Sequence, residues 1–398
     1  MKALHQKRVI VLNTADQALV KKMNKALILE QIIANAPVSR AKLSEITGLN
    51  KSTVSSQVSS LLQRDIIFET GRGQSSGGRR PVMLKFNRKA GYAIGADIGT
   101  NYIIVVLTDL EGEIIEQYER ELDETDIPAT EQALIELIGL ATLKMPDSHY
   151  GLTGIGVCVP GLVDNDRNIV FTPNKPIHLL QMKSLLEKAY NVPVFVENEA
   201  NAGAIGEREY GDSGHLEHAI FVSINAGIGL GILMNGKLFR GVQGFSGEAG
   251  HMSIDMNGPL CRCGNKGCWE LYASERAVFS PYLSHTKAPL YQTVKELADH
   301  GDQKMLETFE TFGFYIGVGL VNIIRTLNPE TIILRNTIVE SYPAIVDSIK
   351  KTISSRSKKE ALTDYRLNIS SLGRTASSLG VSYIVIERFL ERFIDEQF

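Results

Sequence analysis

The sequence predicts an α/β protein with an N-terminal winged helix-turn-helix and a larger two-lobed body. Three observations predict it. Charge divides the chain: residues 1–90 carry sixteen Lys/Arg against five Asp/Glu, and the rest carries 26 against 40. The segments sit near +11 and −14 and account for the overall −3. Within the basic segment, two short helical patterns flank a glycine-containing turn, and a basic hairpin follows. Downstream, a strand–glycine turn–strand pattern occurs twice, heading two halves of the body.

Length and composition bound this reading. The 398 residues suit about two or three domains. A hydrophobic content of 43% and a charged content of 22% are those of an ordinary globular protein. No apolar run approaches the roughly 18 residues of a transmembrane helix. Lys2, Lys7 and Arg8 precede Val9–Leu12, an apolar run too brief for a signal-peptide core. A cytoplasmic protein with no membrane partner is therefore expected, and residues 1–13 carry no structural reading. Three of the four cysteines fall within eight residues. In a reducing compartment that spacing points to metal before disulfide.

The helical elements of the basic segment follow in order. Val20, Met23 and Leu27 recur at helical spacing, so residues 17–36 read as a first helix that Pro37 ends. Ser39 caps a second helix, Leu43 and Ile46 face inward, and Gly48 closes it. Asn50 caps a third, with Val54, Val58, Leu61 and Leu62 inside. Its outer face is read as Lys51, Ser52, Thr53, Ser55, Ser56 and Gln57, short hydrogen-bonding side chains that let a helix approach base edges in a major groove.

Ile66–Phe68 and Val82–Phe86 then form a hairpin wing around the basic loop 71–80. Arg72, Arg79 and Arg80 suit phosphates or a narrow minor groove. A solvated helix face and a plain surface loop are the bland alternatives, and the pairing of the two signals favours double-stranded DNA. Residues 1–90 are assigned to this domain, with Asn87–Tyr92 as its linker.

In the body, Ala93–Asp97 leads through Asp97-Ile-Gly-Thr100 into Ile103–Thr108. Phe221–Ile224 leads through Asn225-Ala-Gly-Ile-Gly-Leu-Gly231 into a second apolar run. The expected lobes are 91–210 and 211–398, with a return of the C-terminal helix to the first lobe left open. This organisation resembles the superfamily of sugar kinases, heat-shock chaperones and actin, whose ligands lie between lobes. Val194–Glu197 is a strand running into a polar helix start that offers Glu197, Asn198, Glu199 and Asn201. Cys158, within Ile155–Val159, reads as core.

The sharpest local signal is Cys261-Arg-Cys263-Gly-Asn-Lys-Gly-Cys268-Trp-Glu270, ten residues after His251. Three thiolates and an imidazole make a closed tetrahedral set for structural Zn²⁺. A metal-bound imidazole keeps one nitrogen to donate to a ligand hydroxyl. Glu248 and Glu270 flank the same loop. Clustered carboxylates with an amide suit a polyol, whose hydroxyls both donate and accept.

Gly247-Glu-x-Gly-His251, the cysteine run through Glu270, Glu197-Asn-Glu-Ala-Asn201 and the helix-turn-helix together resemble the ROK family (repressors, open reading frames and kinases), over nearly the whole chain from about residue 17. The likeness is greatest to its winged-helix repressors, in Arg40–Val58, Gln74–Leu84 and Gly258–Ser274. It implies a homodimeric repressor that binds a palindromic operator and is released by a neutral sugar, with xylose the sugar implied. It also implies a sugar site of Asn174, Asn198, Glu199, Glu248, His251 and Glu270, and zinc on His251, Cys261, Cys263 and Cys268. One departure is that those repressors place a tryptophan closely after Thr-Pro-Asn. Here the stretch is Asn174-Lys-Pro-Ile-His178, and the only tryptophan is Trp269.

The alternative is a ROK sugar kinase with a DNA-binding appendage. The kinase phosphate loop resembles Asp-x-Gly-Gly-Thr-Lys, and here it reads Asp97-Ile-Gly-Thr-Asn-Tyr102. Asn225, Ala226 and Leu230 intrude in the second glycine loop. Arg335-Asn336 replaces paired glycines near the nucleotide, and Glu199 stands where the kinases carry a catalytic aspartate. No enzymatic activity is therefore expected. Lys175 is the one cation among the ligand motifs, which favours a neutral sugar over a sugar phosphate.

Overall fold

The computed structural model describes residues 17–72, 80–122, 127–172, 179–283, 289–356 and 365–395. The N-terminal head comprises α1 (Gln17–Asn35), β1 (Val38–Ser39), α2 (Arg40–Thr47), α3 (Lys51–Gln63), β2 (Ile67–Arg72) and β3 (Val82–Phe86). Its three strands form a sheet in the order β1-β3-β2. The expected caps are present. Ser39 accepts from the Lys42 amide at 3.2 Å, and Asn50 Oδ1 accepts from the Thr53 amide at 2.8 Å. Gly48 closes α2 with φ +71°, a left-handed conformation that costs glycine little.

In α1, Val20 and Met23, which announce the helix by their spacing, are exposed, and Ile28, Leu29 and Ile32 enter the core. The inward faces of α2 and α3 differ in part from the sequence reading. Ile46 is also exposed and Leu62 only half-buried, so Leu43, Val54, Val58 and Leu61 carry the packing.

The body holds two five-stranded sheets of one design. The first is built from β4 (Tyr92–Ile98), β5 (Tyr102–Asp109), β6 (Ile114–Glu121), β7 (Leu152–Val159) and β10 (Val194–Asn198), in the order β10-β7-β4-β5-β6. The small hairpin β8 (Leu162–Val163) and β9 (Ile169–Phe171) extends from it, and α4 (Ile127–Leu143), α5 (Leu179–Tyr190) and α6 (Glu199–Tyr210) connect it. The second uses β11 (Ala219–Ile224), β12 (Ile228–Met234), β13 (Lys237–Leu238), β14 (Thr331–Arg335) and β15 (Arg366–Ile369), in the order β13-β12-β11-β14-β15.

In each sheet the first strand pairs antiparallel with the second and parallel with the fourth. The matching order is the duplication expected from the glycine turns. Around the second sheet lie α7 (Glu270–Ala273), α8 (Glu275–Leu283), α9 (Leu290–Asp299), α10 (Gln303–Leu327), α11 (Thr337–Ser341) and α12 (Pro343–Ser355). No helix among the described residues is long and apolar enough to cross a membrane.

The last helix, α13 (Ala376–Ile394), ties the parts together. It crosses the first sheet and packs along α6. The two helices meet backbone to backbone: a Cβ on Gly380 would stand 1.7 Å from the Ala202 carbonyl oxygen. The far end of α13 enters the core of the head, where Val385, Ile386, Phe389, Leu390 and Phe393 pack with Ile28, Leu29, Ile32 and Val58. Tyr150 adds an edge contact to Phe389 and Phe393, and its hydroxyl donates to the Arg64 carbonyl at 2.7 Å. Head and first lobe thus share one apolar core, and a twist of α13 must be felt in the winged helix.

Candidate functional site

The third helix of the head presents Lys51, Ser52, Ser55 and Ser56 to solvent, with Thr53 half-buried. Gln57 is a correction. It follows Val54 by three residues, falls on the inner face and is only 5% exposed, with its carbonyl oxygen unpartnered among the described residues. It is not part of the outer face. Arg80 is exposed at the base of the wing. Arg72 ends β2 with its side chain outside the described residues, as is all of Arg79.

Between the two sheets lies a cleft of about 280 Å³. The start of α6 contributes Asn198 and Glu199, the β11–β12 turn Asn225–Gly229, and the metal loop Glu248, His251, Arg262, Cys263 and Glu270. Five of the six residues expected to hold a sugar therefore converge. The sixth, Asn174, lies outside the described residues. Asn198 is heavily used already: its Oδ1 caps α6 at the Asn201 amide (3.0 Å) and its Nδ2 donates to the Gly161 carbonyl (2.8 Å).

Glu197 is fully buried, held by Arg167 and Arg240, and does not reach the cleft. Sequence reasoning missed Leu162 and Phe171, apolar wall residues of the β8–β9 hairpin, and Arg262. Arg262 adds a cation to the ligand wall, and its Nε lies 3.8 Å from Glu270 Oε1. Glu248 exposes 40% of its side chain, yet desolvation pushes its carboxyl above the ordinary range, with Glu270 adding to the shift and His251 opposing it.

His251, Cys261, Cys263 and Cys268 place their ligand atoms within 4.8 Å of one another. Cys261 Sγ lies 3.6 Å from His251 Nδ1, and Cys263 Sγ 3.6 Å from Cys268 Sγ. These are close to the edges of a tetrahedron with metal–sulfur bonds of about 2.3 Å. The chain reaches this shape through Gly264 and Gly267, both at positive φ. Nδ1 turns to the thiols while Nε2 lies 3.9 Å from Glu248, so the ring bridges cluster and cleft. The cluster can hold a metal ion.

On the opposite wall is a buried polar network. Glu199 Oε1 accepts from Ser223 Oγ (2.8 Å), Asn225 Nδ2 (2.9 Å) and Arg335 Nη1 (3.2 Å). Arg335 Nη2 donates to the Tyr102 hydroxyl at 2.9 Å, which donates to Asp97 Oδ2 at 3.0 Å. Cys158 is core, as expected, but its thiol also donates to Asp97 Oδ1 at 3.4 Å.

Burial, then the charge of Glu199, pushes Asp97 up to about 7, against the pull of Arg335 and the hydrogen bonds from Cys158 and Tyr102. Because the folded value exceeds the ordinary 3.8, the stabilisation is fully present below about pH 4 and lost as pH rises through about 7. Asp97→Asn is expected to flatten the fall in melting temperature between about pH 4 and 7. Glu275, also pushed up to about 7 by burial, leaves part of the slope. An unchanged profile in thermal melts contradicts the assignment.

A two-lobed body with a sugar-sized interlobe cleft and a winged-helix head defines a ligand-sensing DNA-binding protein on a sugar-kinase scaffold. The chain belongs to the ROK family: its family model matches residues 93–388, and a winged helix-turn-helix DNA-binding model matches 25–67. The xylose repressor of Bacillus subtilis (strain 168) is 52% identical over 380 residues, covering 96% of this chain and 99% of that protein. Among solved structures, a ROK family transcriptional regulator, a homologue of the E. coli MLC protein, matches with TM-score 0.75 and 25% identity, covering 95% and 98% of the two chains. A ROK family glucokinase from Streptomyces griseus, in complex with glucose and AMPPNP, matches with TM-score 0.65 and 26% identity over 74% of this chain and 99% of that one.

Proposed function

We propose that this chain is a xylose-responsive transcriptional repressor that binds a pseudo-palindromic operator as a homodimer and lets go when the sugar fills the interlobe cleft. The observation that carries the reading is the physical continuity of head and cleft. Glu199, on the cleft wall, opens α6; α6 packs on α13; and α13 ends inside the head's core. Lys51, Ser52, Thr53, Ser55 and Ser56 would face base edges, and Arg80, with Arg72 and Arg79, the backbone. Two-fold symmetry would set recognition helices one helical turn apart, about 34–36 Å, or a multiple of it.

Asn174, Asn198, Glu199, Glu248, His251 and Glu270 would receive the sugar hydroxyls. Three carboxylates against Arg262 suit a neutral polyol better than a phosphate. Leu162 and Phe171 supply the apolar wall that a tryptophan after Thr-Pro-Asn would otherwise offer. His251, Cys261, Cys263 and Cys268 would hold Zn²⁺, a structural ion that fixes the loop and the imidazole when bound.

The same geometry argues against phosphoryl transfer. The Tyr102 ring lies on the first glycine turn so closely that a Cβ on Gly99 would stand 2.3 Å from it. The Gly99 amide is itself engaged, donating to the Tyr102 carbonyl at 3.0 Å. Glu199, in the place of the kinase aspartate, is one methylene longer and anchored at Oε1 by three donors, so its carboxylate is not placed as a catalytic aspartate's would be, while Oε2 can still accept from a ligand hydroxyl. We read the chain as a binding protein, not an enzyme, and place it in the cytoplasm with the DNA it regulates.

Glu248→Ala tests the cleft. Losing a charged acceptor for a sugar hydroxyl is worth about 1.5–3 kcal/mol, so the xylose concentration for half-release should rise roughly 10–100-fold. Operator affinity without sugar should stay the same. A normal xylose response in this variant places the sugar elsewhere.

A further inference from the structure

The Arg335 network has no part in contacting DNA or in holding the metal, yet it joins the two lobes. Arg335 ends β14 of the second sheet and is 2% exposed. One guanidinium nitrogen meets Glu199, and the other meets the Tyr102 hydroxyl and lies 3.9 Å from Asp97 Oδ2. Asp97 and Tyr102 face each other across the first turn of the opposite sheet. Its carbon lies 5.6 Å from the Tyr102 ring centroid, and Arg374 lies 4.8 Å from the same centroid. A cation of one lobe is thus held by anions and a phenol of the other.

Glu199 belongs to this network and to the cleft at once. All three of its hydrogen bonds fall on Oε1; among the described residues Oε2 accepts none, leaving it for a ligand hydroxyl. The backbone carbonyl of Glu199 accepts from Ser377 Oγ at 3.0 Å, one residue inside α13. One residue therefore touches the ligand space, the interlobe cation and the helix that carries the DNA head.

We propose that Arg335 is a positioning residue that couples the cleft to the head: it clamps the lobes through Glu199 in the sugar-free state, and a sugar hydroxyl drawing on Glu199 releases that clamp and frees α13 to shift. A buried guanidinium cannot leave one carboxylate without finding another, so the network has discrete arrangements rather than a continuum. The ligand shifts the equilibrium by its different affinity for the clamped and released states. This inference rests on the repressor reading, and its test separates the two.

The experiment uses the full-length dimer loaded with zinc and measures three quantities: xylose affinity by calorimetry, operator affinity without xylose, and operator affinity at saturating xylose. The coupling ratio is the second divided by the last. For the unaltered protein a ratio of about 5–150 is expected. A ratio of one there defeats the repressor reading itself, and the clamp with it.

If the unaltered protein responds, Arg335→Met should still bind xylose and operator while its coupling ratio falls by at least about tenfold or to near one. Arg335→Lys, which restores a charge but not the fork, should recover part of it. Tyr102→Phe, which keeps the ring and removes one acceptor of the guanidinium, is the milder variant should Arg335→Met not fold, and its ratio should fall several-fold. General destabilisation lowers the melting temperature without changing the ratio of two affinities. Full coupling in Tyr102→Phe or in Arg335→Met, with both ligands bound normally, overturns the proposal.

Discussion

Ser55→Glu should cost operator affinity on the order of 1,000-fold while leaving xylose affinity untouched. Ser55 lies exposed on α3, one turn in from the Asn50 cap, on the face where Lys51, Ser52 and Ser56 also lie. Short hydroxyl side chains let the helix settle into a major groove, and a carboxylate there meets acceptor-rich base edges between two rows of phosphates. Like-charge juxtaposition in an interface costs several kcal/mol, and about 4 kcal/mol is a thousandfold. Nothing else should change, because the core of α3 is formed by Val54, Val58 and Leu61 on the far face. Fluorescence anisotropy on labelled operator measures the loss and calorimetry with xylose supplies the control. A variant that binds operator normally removes α3 from the interface.

Removing the metal should cost xylose affinity on the order of 100-fold and spare operator affinity in the absence of sugar. Two of the cleft's polar walls, Glu248–His251 and Arg262–Glu270, belong to the loop that the three thiols and the imidazole gather. Bonds such as the Ile254 amide to the Gly267 carbonyl (2.8 Å) and the Trp269 indole to the Tyr315 carbonyl (2.7 Å) hold the loop's frame, while the cluster sets the His251 ring and the Cys261–Cys263 turn that face the cleft. Without an ion, four ligand groups must share protons at close range, and the ring that faces Glu248 loses its fixed orientation. Chelation and Cys263→Ser should give the same result, since Cys263 is exposed and its loss leaves no core cavity. Elemental analysis before and after chelation ties the effect to zinc. Unaltered xylose binding in metal-free protein makes the ion irrelevant to the site.

Much of this was legible in the chain because it is local. Caps at Ser39 and Asn50, the turn at Gly48 and the cysteine run each depend on neighbours within a few residues, so spacing alone announces them. The doubled sheet was legible from its two glycine turns. What spacing does not carry is the pairing of distant residues. Tyr102 and Arg335 read as losses, a missing lysine and a missing glycine, whereas the fold uses them as partners 233 residues apart.

Gln57 misled because its polarity suggests the outer face while its position, three residues after Val54, puts it inside. Val20 and Met23 announced the helix, but its buried face, Ile28, Leu29 and Ile32, was not legible, since the core that α1 meets includes α13 from the far end of the chain. Glu197 looked like a cleft carboxylate until Arg167 and Arg240, from two separate loops, closed over it.

The most direct test of the central claim is an anisotropy titration with an operator selected from a random duplex pool. Purified zinc-loaded protein is held on that operator at fixed salt while xylose is added, with ATP present in a parallel sample. The account expects xylose to weaken the complex at least about fivefold, glucose 6-phosphate to act far less, and no ADP to appear. Retention of the complex at saturating xylose, or steady formation of ADP and a phosphorylated sugar, would contradict it.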